Sequence, residues 1–369
     1  MQFVTENSPH LRRKDNLTWM LLDVIIALCP VIIFSYIAFR LYAVRNLFIP
    51  VAVMVLAEYI YCFIRFKPKE GKKSFKLLFR PKEFGYKLYN LLSAIISGLI
   101  YGLMFPAQEG AMYFYILPIG ALFGMIVAKL LFGGFGNNIF NPAAAGFIFA
   151  KACFSGQMTG QYVNYLASDV TAGATSLQGG DADLLHLLLG TTHGAMGEVC
   201  KIAILVGLAY LLIRQVADWR VVASYAGTFV FLTLMAGIFL ASEGQNALTY
   251  TVYHVLAGGF LYGLAFMMTD PVTMPITAPS RIYYGMIGAI GAVVIRLFAG
   301  APEGVGYSIL IANLAAPALD YFKWKNRFSK KHFIAYGAIL LVSAGIVIWA
   351  AYAKANPVNA DVLALGGVL

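Results

Sequence analysis

Apolar runs separated by short polar stretches set the pattern of this chain over nearly its whole length. Each run approaches the ~20 residues that a helix needs to cross a bilayer. They predict spans at about 19–41, 47–65, 88–105, 113–132, 140–154, 197–214, 221–241, 250–268, 283–299, 306–322 and 333–353. The fold class this predicts is an all-α polytopic membrane protein. Arg12, Arg13 and Lys14 precede the first run without a convincing signal-peptidase site, so the first helix reads as retained rather than cleaved.

Composition agrees, since 60% of the 369 residues are hydrophobic and 12% charged, against roughly 25% charged in soluble domains. The net charge of +10 raises the question of nucleic acid, and its distribution answers it. Counting the predicted spans puts 21 of the 27 basic residues on one face, nine of them within 65–87 and five within 323–331. The long loop 155–198 on the other face has none. A bias of this size predicts a cytoplasmic N-terminus and an extracytoplasmic loop 155–198. Phospholipid headgroups account for the basic surface, and no nucleic-acid partner is expected. Cys29, Cys62, Cys153 and Cys200 lack metal-ligand spacing and read as apolar thiols, with no metal site expected.

The chain contains a weak internal repeat. Ser97-Gly98-Leu99-Ile100-Tyr101-Gly102-Leu103 aligns with Gly258-Gly259-Phe260-Leu261-Tyr262-Gly263-Leu264, and Lys129-Leu130-Leu131-Phe132-Gly133 with Arg296-Leu297-Phe298-Ala299-Gly300. Asn141-Pro142-Ala143 corresponds loosely to Asn313 through Pro317. The matched spans are five apart, an odd number, so the halves are predicted to run in opposite directions. Inverted repeats place a site at their interface, often between broken helices. The expected organisation is a tail (1–18), a first five-span repeat (19–154), the outer loop (155–198), a second five-span repeat (199–325), and an extra C-terminal helix with its tail (326–369).

Three stretches carry candidate chemistry. Gly133-Gly134-Phe135-Gly136-Asn137-Asn138-Ile139-Phe140-Asn141-Pro142 leads into the fifth span, and Thr269-Asp270-Pro271-Val272-Thr273 ends the eighth. Asn-Pro and Asp-Pro each read as a helix cap followed by proline at the first helical position. Asn138 and Asn141, three apart, would point the same way from a helical start, and paired amides can read the edge of a flat heterocycle. In the outer loop, Asp169-Val170-Thr171-Ala172-Gly173-Ala174-Thr175-Ser176-Leu177 sets one hydroxyl, Thr175, among small residues that leave it sterically open.

These stretches together resemble the RnfD/NqrB family. The 133–143 run looks like one family hallmark, 169–177 like its flavinylation motif, and 269–273 like another shared stretch. Pro302-Glu303-Gly304-Val305, Ala312-Asn313 and Leu319-Asp320-Tyr321 resemble its last shared helix, and Asn7-Ser8-Pro9-His10 with a short tail favours the RnfD branch. The resemblance covers about residues 5–325. It implies a membrane component of the Rnf complex, a redox-driven translocase of a bacterial or archaeal cytoplasmic membrane. That complex passes electrons between ferredoxin and NAD and exports Na⁺ or H⁺. It implies FMN joined through its phosphate to Thr175 by a flavin transferase, and a non-covalent riboflavin beside Asn138 and Asn141. Here Ser176 stands where the motif usually has proline, and Ala172 where it often has a hydroxyl, so Ser176 is a second candidate. Partners implied are the other Rnf subunits. No catalytic side chain is assigned to this chain itself.

Glu58, mid-way along the second span, is a candidate for the ion path because intramembrane carboxylates face a cavity or a partner. Asp320 is kept beside it on its family match. Asp23 is expected to be solvated at the inner interface, and Lys151 and Lys201 to snorkel beside the flavin loop. His186 and His193 are assigned no site. Three other readings remain open: an NqrB-type component of a Na⁺-translocating NADH:quinone oxidoreductase, a small-solute permease built on inverted repeats, and a passive anchor for soluble redox partners.

Overall fold

The computed structural model is mostly helical over the residues it describes. It describes residues 17–66, 81, 83, 85–108, 110, 113–158, 162–167, 169, 171–172, 183–241, 246–299, 304–321 and 328–355. The first half contains α1 (Leu17–Phe39), α2 (Leu41–Arg65), α3 (Leu88–Leu103), α4 (Tyr113–Phe123) and α5 (Pro142–Cys153). The second contains α6 (Lys201–Ile213), α7 (Trp219–Leu240), α8 (Ala247–Leu256), α9 (Phe260–Phe266), α10 (Ala278–Phe298) and α11 (Gly304–Tyr321), with α12 (Lys330–Ala355) appended. Among the described residues, six helices are long and apolar enough to cross a membrane: α1, α2, α4 with its continuation to Leu130, α7, α10 and α12.

Several boundaries differ from the sequence reading, each for a local reason. The loop expected at 42–46 is absent; α1 and α2 meet at Arg40 alone, held at φ 52°, with its guanidinium 4.3 Å from the Tyr165 ring centroid. The sixth span is broken, a turn at Met196–Val199 and then α6. At 1.5 Å per residue, the 13 residues of α6 fall well short of a ~30 Å hydrocarbon core. The predicted eighth span is likewise two helices, α8 and α9, interrupted at Ala257-Gly258-Gly259 with Gly258 at φ 66°.

Within the first half α2 packs on α3 and α4, and α4 on α5; within the second, α7 packs on α10 and α10 on α11. The halves meet where α1 lies on α6 and α5 on α11. Close approach of α4 and α5 depends on glycine. A Cβ on Gly124 would overlap the Pro142 carbonyl oxygen, and one on Gly146 would meet the Gly120 carbonyl oxygen. Gly120 and Gly124 are four apart, the small-residue spacing that lets membrane helices touch backbone to backbone.

At one end of the bundle a small antiparallel sheet pairs Tyr162–Val163 with Thr171–Ala172, and isolated bridges link Pro106 to Ala195 and Gln108 to Tyr162. Asn164 ties this end together, its amide donating to the carbonyls of Gly190 (3.2 Å) and Thr192 (2.7 Å). The opposite end carries Leu17, the turn after α4, the segment 269–277 and Asp320.

Candidate functional site

The Asp270 end holds a cavity of about 540 Å³, within the ~300–1,000 Å³ typical of cofactor sites. Its walls are apolar (Leu21, Val24, Ile96, Ile100, Phe266), and its polar groups converge from the 133–142 and 269–273 segments with Ser93, Lys129 and Asp320. Two stretches singled out in sequence, 131 residues apart at Asn138 and Thr269, thus form one chamber.

Asn138 and Asn141 both line it, though only Asn141 stands at the helical start expected for the pair. Asn138 precedes α5 in an irregular segment and, among the described residues, donates only to the Phe140 carbonyl, at 3.4 Å. Its amide oxygen and second N–H are left for an occupant. Asn141 is the N-cap of α5, its side-chain oxygen accepting from Ala143 N (3.0 Å) and Ala144 N (3.4 Å). Its backbone N–H donates to Asn313 Oδ1 at 2.9 Å, locking α5 to α11. Asn141 therefore has only its side-chain N–H pair to offer.

Asp270-Pro271 does not start a helix. The Asp270 carboxylate accepts from Val272 N (3.1 Å) and Thr273 Oγ1 (3.2 Å), closing a turn, and α10 begins later with Thr277 as its cap. The proline removes one donor from that turn, where an N–H has no ladder to join. Burial against the cavity wall pushes the Asp270 carboxyl above its usual range, partly opposed by those two hydrogen bonds and by Lys129. Asp320, at the end of α11, accepts from Ile276 N at 3.0 and 3.3 Å and so pins the 269–277 segment.

Glu58 is buried and paired. Lys129 Nζ lies 2.9 Å from Glu58 Oε2 and donates to Ser93 Oγ at 2.9 Å, with both charged side chains at most 2% exposed. Lys129 sits on a seven-residue π-helical stretch, Gly124–Leu130, that continues α4. Such wide turns are rare and collect at functional sites. Lys129 and Ser93 line the cavity, whereas Glu58 reaches it only through Lys129. Sequence reasoning treats Lys129 only as a positional marker; an ammonium in an apolar run at the depth of a carboxylate is the signal that could have found it.

Two expectations are corrected. Asp23 is not solvated: it is 5% exposed, accepts from Tyr210 Oη at 2.7 Å, and pairs with Arg214 at 3.2 Å across the α1–α6 contact. Lys201 does not snorkel: it is 2% exposed and donates to backbone carbonyls of Glu198 and Gly258 at the break before α9. Lys151 is half-buried. All four cysteines are free, and no group of metal ligands occurs among the described residues. His186 Nδ1 lies 2.7 Å from Thr191 Oγ1.

Of the loop motif, Asp169 is exposed and Thr171–Ala172 form the second strand of the small sheet. Thr175 and Ser176 lie outside the described residues, as do Pro302 and Glu303.

This is a helical, multi-pass membrane protein with a cofactor-sized cavity at one end and a buried ion pair behind its wall. Residues 4–329 match the family model of the NQR2, RnfD, RnfE family, and the chain belongs to that family. One relative is a component of the Na⁺-translocating ferredoxin:NAD⁺ oxidoreductase complex of Acetobacterium woodii. The two are 30% identical over 331 residues, covering 87% of this chain and 94% of that protein. A second is a component of the proton-translocating ferredoxin:NAD⁺ oxidoreductase complex of Clostridium ljungdahlii, 29% identical over 350 residues and covering 89% and 97%. A third belongs to the Na⁺-translocating NADH-quinone reductase of Chromohalobacter salexigens, 34% identical over 241 residues and covering 62% and 57%.

Proposed function

We propose that this chain is the flavin-carrying membrane component of an ion-translocating ferredoxin:NAD⁺ oxidoreductase, set in the cytoplasmic membrane. The observation that carries the reading is the cavity. Its free Asn138 amide, apolar walls and adjoining Phe135 ring suit a flavin, a planar heterocycle with a donor–acceptor edge. Asn138 would read that edge, with Asn141 offering N–H donors beside it. Riboflavin is the occupant we assign there, and FMN is assigned to Thr175 of the loop 155–198. Bound flavins would supply one-electron steps between donor and acceptor proteins of the complex.

Full-length likeness to the two ferredoxin:NAD⁺ oxidoreductase relatives, against 57% coverage of the quinone-reductase relative, favours the ferredoxin branch. The identities of 30% and 29% to relatives named for Na⁺ and for protons give no preference between the ions. Inverted repeats are part of this reading: they would put Lys129 and Arg296 at opposite ends, and the α1–α6 and α5–α11 contacts along the pseudo-axis. The basic sequence 65–87 then marks the Asp270 end as cytoplasmic, leaving Thr175 outside, where a flavin transferase would load it.

The test is in-gel flavin fluorescence of the denatured chain, from cells that contain the transferase. Fluorescence is expected in the native chain and in Ser176→Ala, and its loss in Thr175→Ala. A colourless native chain would reject covalent attachment and revive the permease reading.

A further inference from the structure

Lys129 is placed between two claims on its charge. Its ammonium has three N–H donors and uses two, on Glu58 and Ser93; its nitrogen also lies 5.7 Å from the Phe135 ring centroid. The third N–H has no hydrogen bond within the described residues, and the side chain forms part of the cavity wall. Glu58 does not line this cavity. Its titratable neighbours are Cys62 on the same helix, Tyr86 before α3, and Lys129. Of these, Lys129 is the one with a countercharge to offer.

We propose that Lys129 is a shared cation: it neutralises Glu58 while the cavity is uncharged, and releases Glu58 to take up one translocated cation when negative charge enters the cavity. This rests on the flavin reading above. The charge balance is one for one. An electron supplied by a one-electron donor of the complex adds one negative charge to the chamber. The Lys129 ammonium, on a flexible four-carbon stem, turns toward it. Glu58 is then a carboxylate without a partner in an apolar position, a costly state, and its Oε atoms bind one H⁺ or Na⁺ from the Asp270 end. The only bond made is the O–H of the Glu58 carboxyl when the cation is a proton. When the electron passes to a one-electron acceptor, Lys129 returns and displaces the cation. Asp270 and Asp320 line the same chamber but are held by Val272, Thr273 and Ile276, so Glu58 is the carboxylate whose partner can move.

The experiment is potentiometric titration of the cavity flavin in the purified complex, at varied pH and varied Na⁺. Native protein should show its potential moving by about 59 mV per tenfold change in one of the two cations, the slope for one cation per electron. Lys129→Met and Glu58→Gln should each flatten that slope with the flavin retained, and Lys129→Arg should restore it. Redox difference infrared spectra should show a Glu58 carboxyl or carboxylate signal in native protein that both flattening variants lack. A full slope in Lys129→Met or Glu58→Gln, with flavin bound, overturns the proposal and leaves the flavin reading intact. Should Lys129→Met not assemble, Glu58→Gln decides alone. Native complex without extractable riboflavin overturns both.

Discussion

Two buried cations, Lys129 and Arg296, make opposite use of the same problem. Both belong to apolar helices and both are almost hidden, at 1% and 7% exposure. Lys129 meets a carboxylate and borders a large cavity. Arg296 meets backbone: Nη1 donates to the carbonyls of His254 (2.6 Å) and Ala257 (3.3 Å), at the C-terminal end of α8 where the helix breaks. Its Nε and Nη2 have no hydrogen-bond partner among the described residues, and the Phe229 ring lies 5.4 Å away. Lys201 caps the same break through the carbonyls of Glu198 and Gly258. One cation is held by a group that can itself change charge. The other is held by carbonyl dipoles that cannot, with Glu198 an acid in its field among the described residues. A pair of the first kind can switch; a cluster of the second kind fixes a broken helix in place.

That contrast predicts the largest stability effect at the pair. Lys129→Met in the flavin-free chain strands Glu58 as a buried charge and should cost about 3–5 kcal/mol. Glu58→Gln with Lys129→Met removes both charges and should recover most of that loss. Thermal unfolding in detergent measures it, and a double variant no better than the single would show that the two side chains do not act as a unit.

Arg296→Met comes next. It strands no countercharge, so the cost is that of unsatisfied carbonyls at the α8 break, about 1–3 kcal/mol. Because Nε and Nη2 are already unpartnered, relief of that desolvation offsets part of the loss. If Arg296→Met proves more damaging than Lys129→Met, the distinction between an ion pair and a fixed charge fails.

How much of this is legible in the sequence follows the same line. The long apolar runs locate α1, α7 and α12 within three residues, while α2 and α10 begin six and five residues earlier than their runs predict, because hydropathy marks the stretch that enters a bilayer and not the polar turns that extend it. The breaks at Cys200 and at Gly258 are not legible. Both lie inside long apolar runs, and the carbonyls freed at Gly258 are met by cations distant in sequence, Lys201 on Gly258 and Arg296 on His254 and Ala257. Asn141 as a cap is readable from Asn-Pro, while the same logic fails at Asp270 because Thr273 and Val272 draw its carboxylate into a turn. Glu58 announces itself as an acid in an apolar run, yet its partner is 71 positions away. The gathering of Asn138, Asp270 and Asp320 around one chamber likewise needs the tertiary structure.

A smaller effect separates the two amides. Asn138→Ala should weaken riboflavin retention about three- to tenfold through one lost hydrogen bond, with unfolding temperature of the flavin-free chain unchanged. Asn141→Ala should weaken it too and also destabilise the flavin-free chain by about 1 kcal/mol, because α5 loses its cap. Equal destabilisation by both would mean that Asn138 is as structural as Asn141.

The smallest effect is expected at Asp270, and its sign is what matters. Burial raises this carboxyl, so the folded chain binds the proton more tightly than the unfolded chain does. The stability Asp270 contributes is therefore full below the unfolded value and is lost as pH rises through the raised one. Asp270→Asn keeps an acceptor for Val272 N and cannot ionise. Its stability relative to the native chain should improve as pH is raised from the acid side through that range, then level off. The comparison belongs in the flavin-free protein, with Glu58→Gln as background so that the ion pair does not titrate alongside. A difference that is flat across pH, or that moves the other way, would mean that Asp270 is held ionised by Lys129, and that the chamber's negative charge is already in place before any electron arrives.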